Sequence, residues 1–293
     1  MKNVIFVFTL FFSSTLLYGQ NTPKTLLWKI TREGNKHASF LFGTFHEVSP
    51  TFFDSLPEVV STLKQADILL VEESVSESNI STSTQQPKWS LEKWNAVLTN
   101  EQKQTFNQFV KKSQDTSYYN LNPLLLSLTT SRLYLTNFCQ SDKPFNQLMD
   151  HYIEKMAKNF NKSVYSLDIN QQILLKNAAQ ELTSQQDSLY TFYSIRSMRS
   201  MLDEDFSDCA ILREYKKLAI NYKLDSYLSE NPGLSLLLSE RNIRWAKRLD
   251  ELLSIKSCFV AVGFRHLMYQ EGIIEQLRNL GYKVSPVPIQ LLP

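Results

Sequence analysis

Two segments of this sequence place a histidine three residues after a glycine, each at the end of an apolar run. Residues 40–46 read FLFGTFH, and residues 259–266 read FVAVGFRH, so the histidines are His46 and His266. The chain has only four histidines and seven glycines, which makes the repeated pattern informative. Each apolar run predicts a strand. If the two strands are neighbours, both imidazoles project from one edge of a sheet, which predicts a metal site or an acid–base site.

Carboxylates at the same edge would complete a metal site. Glu72 and Glu73 end a predicted buried strand, and Asp168 ends a second, shorter one. Strand alternation allows only one of Glu72 and Glu73 to face the site. Two imidazoles with one or two carboxylates hold a divalent cation and leave a position open for water. The bound cation lowers the pKa of that water and polarises a carbonyl, so the pattern predicts hydrolysis.

The two glycines support the same interpretation, although a structural role is the alternative. Gly43 and Gly263 would let the backbone turn sharply and let a ligand approach without a Cβ in the way. A single histidine at a strand end is more often a hydrogen-bonded structural residue than a ligand. The duplication of the pattern is what favours a site.

The elements around the two histidines follow the same order twice. A hairpin leads into the first GxxH segment, and a capping-box pattern at Ser55 and Glu58 then begins a helix that runs to about residue 66. A buried strand follows. The second segment has the same order, with strands at 257–262 and 282–287 around a helix at 271–280. We predict an α/β fold: a mixed central β-sheet with duplicated βαβ-like units that carry the GxxH motifs, and a large helical insertion.

The insertion is expected at about residues 89–235, within one domain that covers residues 20–293. Helical periodicity marks segments 91–98, 101–112, 123–138, 145–160, 182–202 and 234–253, and a short strand is expected at 163–167. Residues 1–19 have one positive charge and then a short apolar run, which predicts a secretory signal peptide. The protein is therefore expected to be exported, periplasmic or extracellular, with no stable membrane span after cleavage.

Composition and motifs exclude several classes. Removing Lys2 with the signal leaves 30 basic and 29 acidic side chains, so we expect no nucleic-acid partner. No GxSxG, HExxH, P-loop or GxGxxG pattern occurs. Of the three cysteines, Cys139 and Cys209 are the best candidates for a disulfide, with Cys258 in a strand; three isolated thiols are the alternative. The sequence does not indicate an oligomeric state.

A cluster of charges precedes the second GxxH segment on a predicted helix. Arg241, Arg244 and Arg248 share one face, and Glu240 lies four residues before Arg244. The arginines could bind a carboxylate of the site or of a substrate. From spacing alone, a solvated face is favoured, and an exposed pair at this spacing stabilises a helix by only about 0.2–0.5 kcal/mol.

Both ends of the chain resemble the TraB/PrgY/GumN family. The opening signature is LFGTFH at 41–46, followed by LP at 56–57 and ADILLVE at 66–72; the closing signature is SERN at 239–242, followed by VAVGFRHL at 260–267. A weaker middle block covers residues 149–172, where Asp168 stands in place of the usual Glu. The family is similar to the Tiki proteins, described as metal-dependent peptidases, and to a superfamily that includes erythromycin esterases.

The resemblance implies functions for individual residues. His46, His266 and Glu72 would hold a divalent cation (Mn, Co or Zn), and Glu240 and Arg241 would be the catalytic residues carried on the helix. Gly43, Gly263 and Asp168 would support the site. The implied function is an exported metal-dependent hydrolase, most simply a peptidase with a peptide or protein substrate. The alternative is a protein that binds and sequesters a peptide or signal in the same cleft without cutting it.

Overall fold

A computed structural model describes residues 23–75, 85–140, 147–168, 170–230 and 232–292. The predicted signal peptide at residues 1–19 lies outside these ranges. Within them the chain forms six strands and eleven α-helices. The strands are β1 (Leu27–Thr31), β2 (Ser39–Thr44), β3 (Ile68–Val71), β4 (Ser163–Ser166), β5 (Cys258–Gly263) and β6 (Lys283–Pro286).

The helices fall into the groups that the sequence predicts. Two follow β2, seven lie in the insertion, one long helix precedes β5, and one follows β5. They are α1 (Thr51–Asp54), α2 (Pro57–Gln65), α3 (Leu91–Val97), α4 (Asn100–Ser113), α5 (Pro123–Leu133), α6 (Met149–Asn159), α7 (Gln171–Gln180), α8 (Ser184–Asp203), α9 (Ala210–Lys216), α10 (Pro232–Leu253) and α11 (Ile273–Asn279). Among the described helices, none combines the length and apolar character needed to cross a bilayer.

The strands form one mixed sheet in the order β4-β3-β5-β2-β1-β6. Strands β4, β3, β5 and β2 are parallel neighbours, whereas β1 is antiparallel to both β2 and β6. The predicted mixed α/β sheet is therefore confirmed. All residues of β5 except Gly263 are buried, as expected for a central parallel strand covered on both faces.

The connections after β2 and β5 leave these two neighbours in opposite directions. The chain passes from β2 to β3 on one side of the sheet and from β5 to β6 on the other. Because parallel crossovers are right-handed, opposite directions place the connecting helices on opposite faces. Open α/β sheets bind their ligands beyond the carboxyl ends of the strands at such a change of direction.

The insertion has an apolar cluster separate from the core around the sheet. It combines residues of helices α3, α4, α5 and α8: Trp94, Leu98, Phe106, Phe109, Val110, Leu126, Ile195 and Met198. A five-residue π-helical segment, Tyr134–Phe138, extends α5 and ends at Cys139. Cys139 forms a disulfide with Cys209, with Cα atoms 5.3 Å apart, and Cys258 is a buried free thiol.

One local prediction is wrong. The pattern at Ser55 and Glu58 predicts that Ser55 caps the next helix, but α2 begins at Pro57 and Leu56 occupies the N-cap. The hydroxyl of Ser55 instead donates to the carbonyl of Phe52, at the end of α1. Proline is favoured in the first turn of a helix because its missing N–H has no partner there, so Pro57 determines the start.

Candidate functional site

The two GxxH segments leave the sheet side by side. Strands β2 and β5 are parallel, and Thr44 is the cross-strand partner of Gly263. Strand β3 lies on the other side of β5, with Val71 opposite Ala261. The residue after Val71 is Glu72, and its Oε1 atom accepts a hydrogen bond from the backbone N–H of Gly263 over 2.8 Å. The prediction that the two GxxH strands are neighbours is therefore confirmed.

Both glycines lie where a side chain would have no room. A Cβ on Gly43 would be 2.9 Å from Cβ and 3.1 Å from Cα of Phe264. A Cβ on Gly263 would be 3.1 Å from Oε1 of Glu72. The first glycine thus permits contact between the two turns, and the second permits contact between a turn and a carboxylate.

Arg241 joins the two buried carboxylates of the site. Its Nη2 atom lies 2.5 Å from Oε2 of Glu72 and 2.7 Å from Oδ2 of Asp168, and its Nε donates to the same Asp168 oxygen over 2.9 Å. The other Asp168 oxygen accepts from Nε1 of Trp245 over 2.8 Å. Gln171 adds a weaker contact to Glu72 Oε2 at 3.2 Å. Each carboxylate therefore has both oxygens occupied by donors.

The surroundings keep Glu72 ionised. Burial alone would raise its pKa, but His266 and the guanidinium of Arg241 lower the pKa of Glu72 well below its usual range. We attribute the effect chiefly to Arg241, because it remains charged at all relevant pH values and contacts the carboxylate directly. The cluster therefore holds a permanent negative charge next to His266.

His266 is buried and neutral. Its Nδ1 atom lies 2.6 Å from Oδ1 of Asn242, and its Nε2 atom lies 3.7 Å from Oε1 of Glu72. The ring packs against Trp245, with centroids 4.3 Å apart. Burial and the positive charge of Arg241 lower the pKa of His266 to about 3, in spite of the nearby Glu72.

His46 has a different environment. Its Nδ1 atom contacts Oδ2 of Asp150, and Oδ1 of that carboxylate accepts from the hydroxyl of Thr44 over 2.6 Å. Burial opposes the charged ring, but the Asp150 carboxylate outweighs it, and Glu72 adds to the effect. Together they raise the pKa of His46 to about 10. The side chain of His46 is 38% exposed, so this histidine is the accessible one of the pair.

The remaining predicted residues lie around this cluster. Glu73 accepts from the backbone N–H of Gln171 over 3.1 Å, and the side chain of the same Gln171 contacts Glu72. Arg244 is 56% exposed and reaches Oδ1 of Asp168 only at 3.6 Å. Glu240 is exposed, and the described contacts include none between it and the cluster. The structure thus brings together His266, Glu72, Asp168 and Arg241 and leaves Glu240 outside.

Three residues that contact the site have no role assigned from the sequence: Asn242, Trp245 and Asp150. Trp245 lies four positions after Arg241 on α10, so helical spacing could have identified it, and Asn242 lies three positions before Trp245. Asp150 lies in the first turn of α6, and its contacts with residues 44 and 46 join segments more than 100 residues apart. No local pattern marks Asp150 as a partner of a histidine.

The donor set fits part of the predicted cation site. In the described part of the chain, no group of three or more His, Cys, Asp and Glu side chains is arranged to hold a metal ion. Two predicted ligands do fit, because Nε2 of His266 and Oε1 of Glu72 are 3.7 Å apart. Two ligands about 2.0–2.2 Å from one ion can be separated by up to about 4.4 Å. His46 is close enough that its charge lowers the pKa values of both.

Comparison with known proteins gives one match. The model of the TraB/PrgY/gumN family matches residues 26–286, which is most of the chain and includes both GxxH segments. No curated protein and no solved structure matches.

Proposed function

The chain belongs to the TraB/PrgY/gumN family, and we propose that it is an exported, metal-dependent hydrolase that acts on peptides. The observation that carries the proposal is the pair formed by His266 Nε2 and Glu72 Oε1, 3.7 Å apart at the carboxyl ends of the sheet. Both atoms can bind a cation through a lone pair, and they lie at the end of the sheet where α/β proteins bind ligands.

A divalent cation (Mn, Co or Zn) would be held by His266, Glu72 and His46, and His46 would give up its proton on binding because only a neutral imidazole is a metal ligand. When bound, it supplies an activated water and a polarised carbonyl, the two requirements of amide hydrolysis. Neither histidine uses its Nε2 atom to bind its positioning partner, since both partners contact Nδ1. This is the arrangement in which a histidine presents Nε2 to a metal while a second residue fixes its ring.

The other residues of the cluster orient these groups. Arg241 binds and fixes Glu72 and Asp168, and its positive charge reduces the repulsion between the two carboxylates. Asp150 fixes the ring of His46 through Nδ1, and Thr44 fixes Asp150. We assign Glu240 no step, because it is exposed and the described contacts do not connect it to the cluster.

The metal content of purified protein tests the proposal. We expect wild-type protein to retain about one Mn, Co or Zn ion per chain, and the double variant His46→Ala plus His266→Ala to lose it. His151→Ala is the control, because His151 is exposed on α6. Equal metal content in wild type and the double variant would overturn the proposal. Export is tested by the N-terminus of protein recovered outside the cytoplasm, which we expect to be Gln20.

One observation favours a second candidate, sequestration of a peptide without cleavage. Both oxygens of Glu72 already accept hydrogen bonds from this chain, as do both oxygens of Asp168, so neither is a free general base. Peptide libraries incubated with wild type and with Mn²⁺, Co²⁺ or Zn²⁺ separate the two candidates. Cleavage that stops on chelation supports the hydrolase. Peptide binding that survives chelation, with no cleavage, supports sequestration.

A further inference from the structure

The side chain of Asn242 has a single possible orientation. The residue is 1% exposed, and its Nδ2 atom donates to the backbone carbonyl of Glu271 over 2.8 Å. A carbonyl can only accept, so the amide nitrogen must face Glu271. The amide oxygen then faces His266, where Oδ1 lies 2.6 Å from Nδ1.

This orientation determines which nitrogen of His266 carries the proton. The oxygen of Asn242 can only accept, so Nδ1 of His266 must donate. In a neutral ring the other nitrogen, Nε2, is then a lone pair, and it faces Oε1 of Glu72 at 3.7 Å. Trp245 packs against the ring with centroids 4.3 Å apart and holds its plane. Two acceptors facing each other inside the protein repel unless a cation or a proton lies between them.

We infer that Asn242 is a positioning residue that holds His266 in the Nδ1–H tautomer and so keeps Nε2 unprotonated beside Glu72. The inference rests on the proposed function of this site. The two histidines then have different partners at Nδ1. Buried His266 has a neutral amide, that of Asn242, and the more exposed His46 has a carboxylate, that of Asp150.

Without Asn242, the neutral ring would favour the other tautomer. Nε2–H could then donate to Glu72, and this nitrogen would no longer have a lone pair available to a cation. Residues that fix a metal-binding histidine from behind typically contribute about 10–100-fold in metal affinity. Asn242→Leu should therefore weaken binding of Zn²⁺ by about that factor.

Nitrogen NMR of histidine-labelled, metal-free protein at neutral pH measures the tautomer directly. In wild type we expect a protonated Nδ1 and an unprotonated Nε2 for His266. In Asn242→Leu we expect the proton on Nε2, and in Asn242→Asp, which keeps an acceptor, the proton on Nδ1. A matched control is Asn122→Leu, since Asn122 is also 1% exposed and also donates to a backbone carbonyl, that of Pro87, but contacts no histidine.

A wild-type His266 with its proton on Nε2 would overturn the inference, and this spectrum is sufficient even if Asn242→Leu does not fold. An unchanged tautomer in Asn242→Leu would also overturn it, as would equal loss of Zn²⁺ affinity in Asn242→Leu and Asn122→Leu. Failure of the proposed function looks different: wild type and every variant bind no metal, while the tautomer still changes in Asn242→Leu. In that case Asn242 retains its positioning role.

Discussion

Arg241 donates from Nη2 to Oε2 of Glu72 over 2.5 Å, across 169 positions of sequence. The same guanidinium bonds Asp168, so one cation compensates two carboxylates that are both less than 10% exposed. Removing it leaves two buried negative charges with one fewer compensating group. The free energy of unfolding should therefore depend strongly on Arg241.

Substituting Arg241 should be much more costly than substituting Arg244. Breaking a buried pair typically costs about 3–5 kcal/mol, because the remaining charge stays buried, whereas an exposed pair contributes about 0–1 kcal/mol. We expect Arg241→Met to lower the free energy of unfolding by the larger amount. Arg244→Met is the matched control on the same helix, since its side chain is 56% exposed. Urea unfolding measures both, and equal losses would contradict the assignment.

The two GxxH glycines should respond differently to alanine. In Gly43→Ala the new Cβ meets backbone and Cβ atoms of Phe264 at 3.1 and 2.9 Å, which cannot move cheaply. Such overpacking typically costs about 1–3 kcal/mol. In Gly263→Ala it meets Oε1 of Glu72 at 3.1 Å, so we expect a smaller loss of stability and a larger loss of Zn²⁺ affinity. Thermal unfolding and metal titration of both variants check the contrast.

Stability at low pH should depend on Glu154. This carboxylate, 4% exposed on α6, accepts from Lys158 over 2.6 Å and from Ser74 and the N–H of Val75 over 2.9 Å. Burial opposes its ionisation, but Lys158 and the other donors lower the pKa of Glu154. A lowered folded-state pKa stabilises the protein above the unfolded-state pKa, and this stabilisation disappears as the pH falls through the folded-state value.

Glu154→Gln should therefore be less stable at pH 7 by about 1.5–3 kcal/mol, the contribution of hydrogen bonds to a charged group. Its stability should also fall less steeply than that of wild type below about pH 4.5. Glu101→Gln is the control, because Glu101 also forms an ion pair, with Arg199, but is 75% exposed. Unfolding followed from pH 3 to pH 7 checks the slope, and parallel curves for wild type and Glu154→Gln would contradict the prediction.

The disulfide should leave one titratable thiol. Denatured, unreduced protein should react at Cys258 only, and peptide mapping should recover Cys139 joined to Cys209. The bond spans 70 positions, for which chain entropy gives up to about 4 kcal/mol of stabilisation. Cys139→Ser should lose much of this stabilisation, whereas unreduced Cys258→Ser should keep it, since Cys258 is not part of the bond. Three reactive thiols in the unreduced protein would contradict the assignment.

Much of the fold could be predicted because the informative residues are local. Alternation in β1 and the two GxxH segments identified the sheet strands, and the apolar spacing of α4, α8 and α10 identified long helices. Helix α7, none of whose residues is buried, was not predicted from the sequence. Helix α9 has only seven residues, too few for a clear pattern.

The site was predictable only in part, because the residues that contact its histidines and Glu72 come from distant segments of the chain. Glu72 and His266 follow strands that the sequence identifies, so their neighbourhood could be predicted. The partner of His46 could not, since Asp150 is brought to it by the packing of α6 alone. The sequence also could not show that Arg241, 18% exposed, lies between two carboxylates, whereas Arg244, on the same face, is 56% exposed.

The position of β5 at the centre of the sheet has a consequence for synthesis on the ribosome. The N–H of Cys258 bonds Oγ of Ser39, 219 positions earlier, and β5 separates β3 from β2. Until residues 258–263 emerge, the earlier strands have a gap where their middle neighbour belongs. A nascent chain therefore cannot bring Glu72 and His266 together until β5 has left the ribosome.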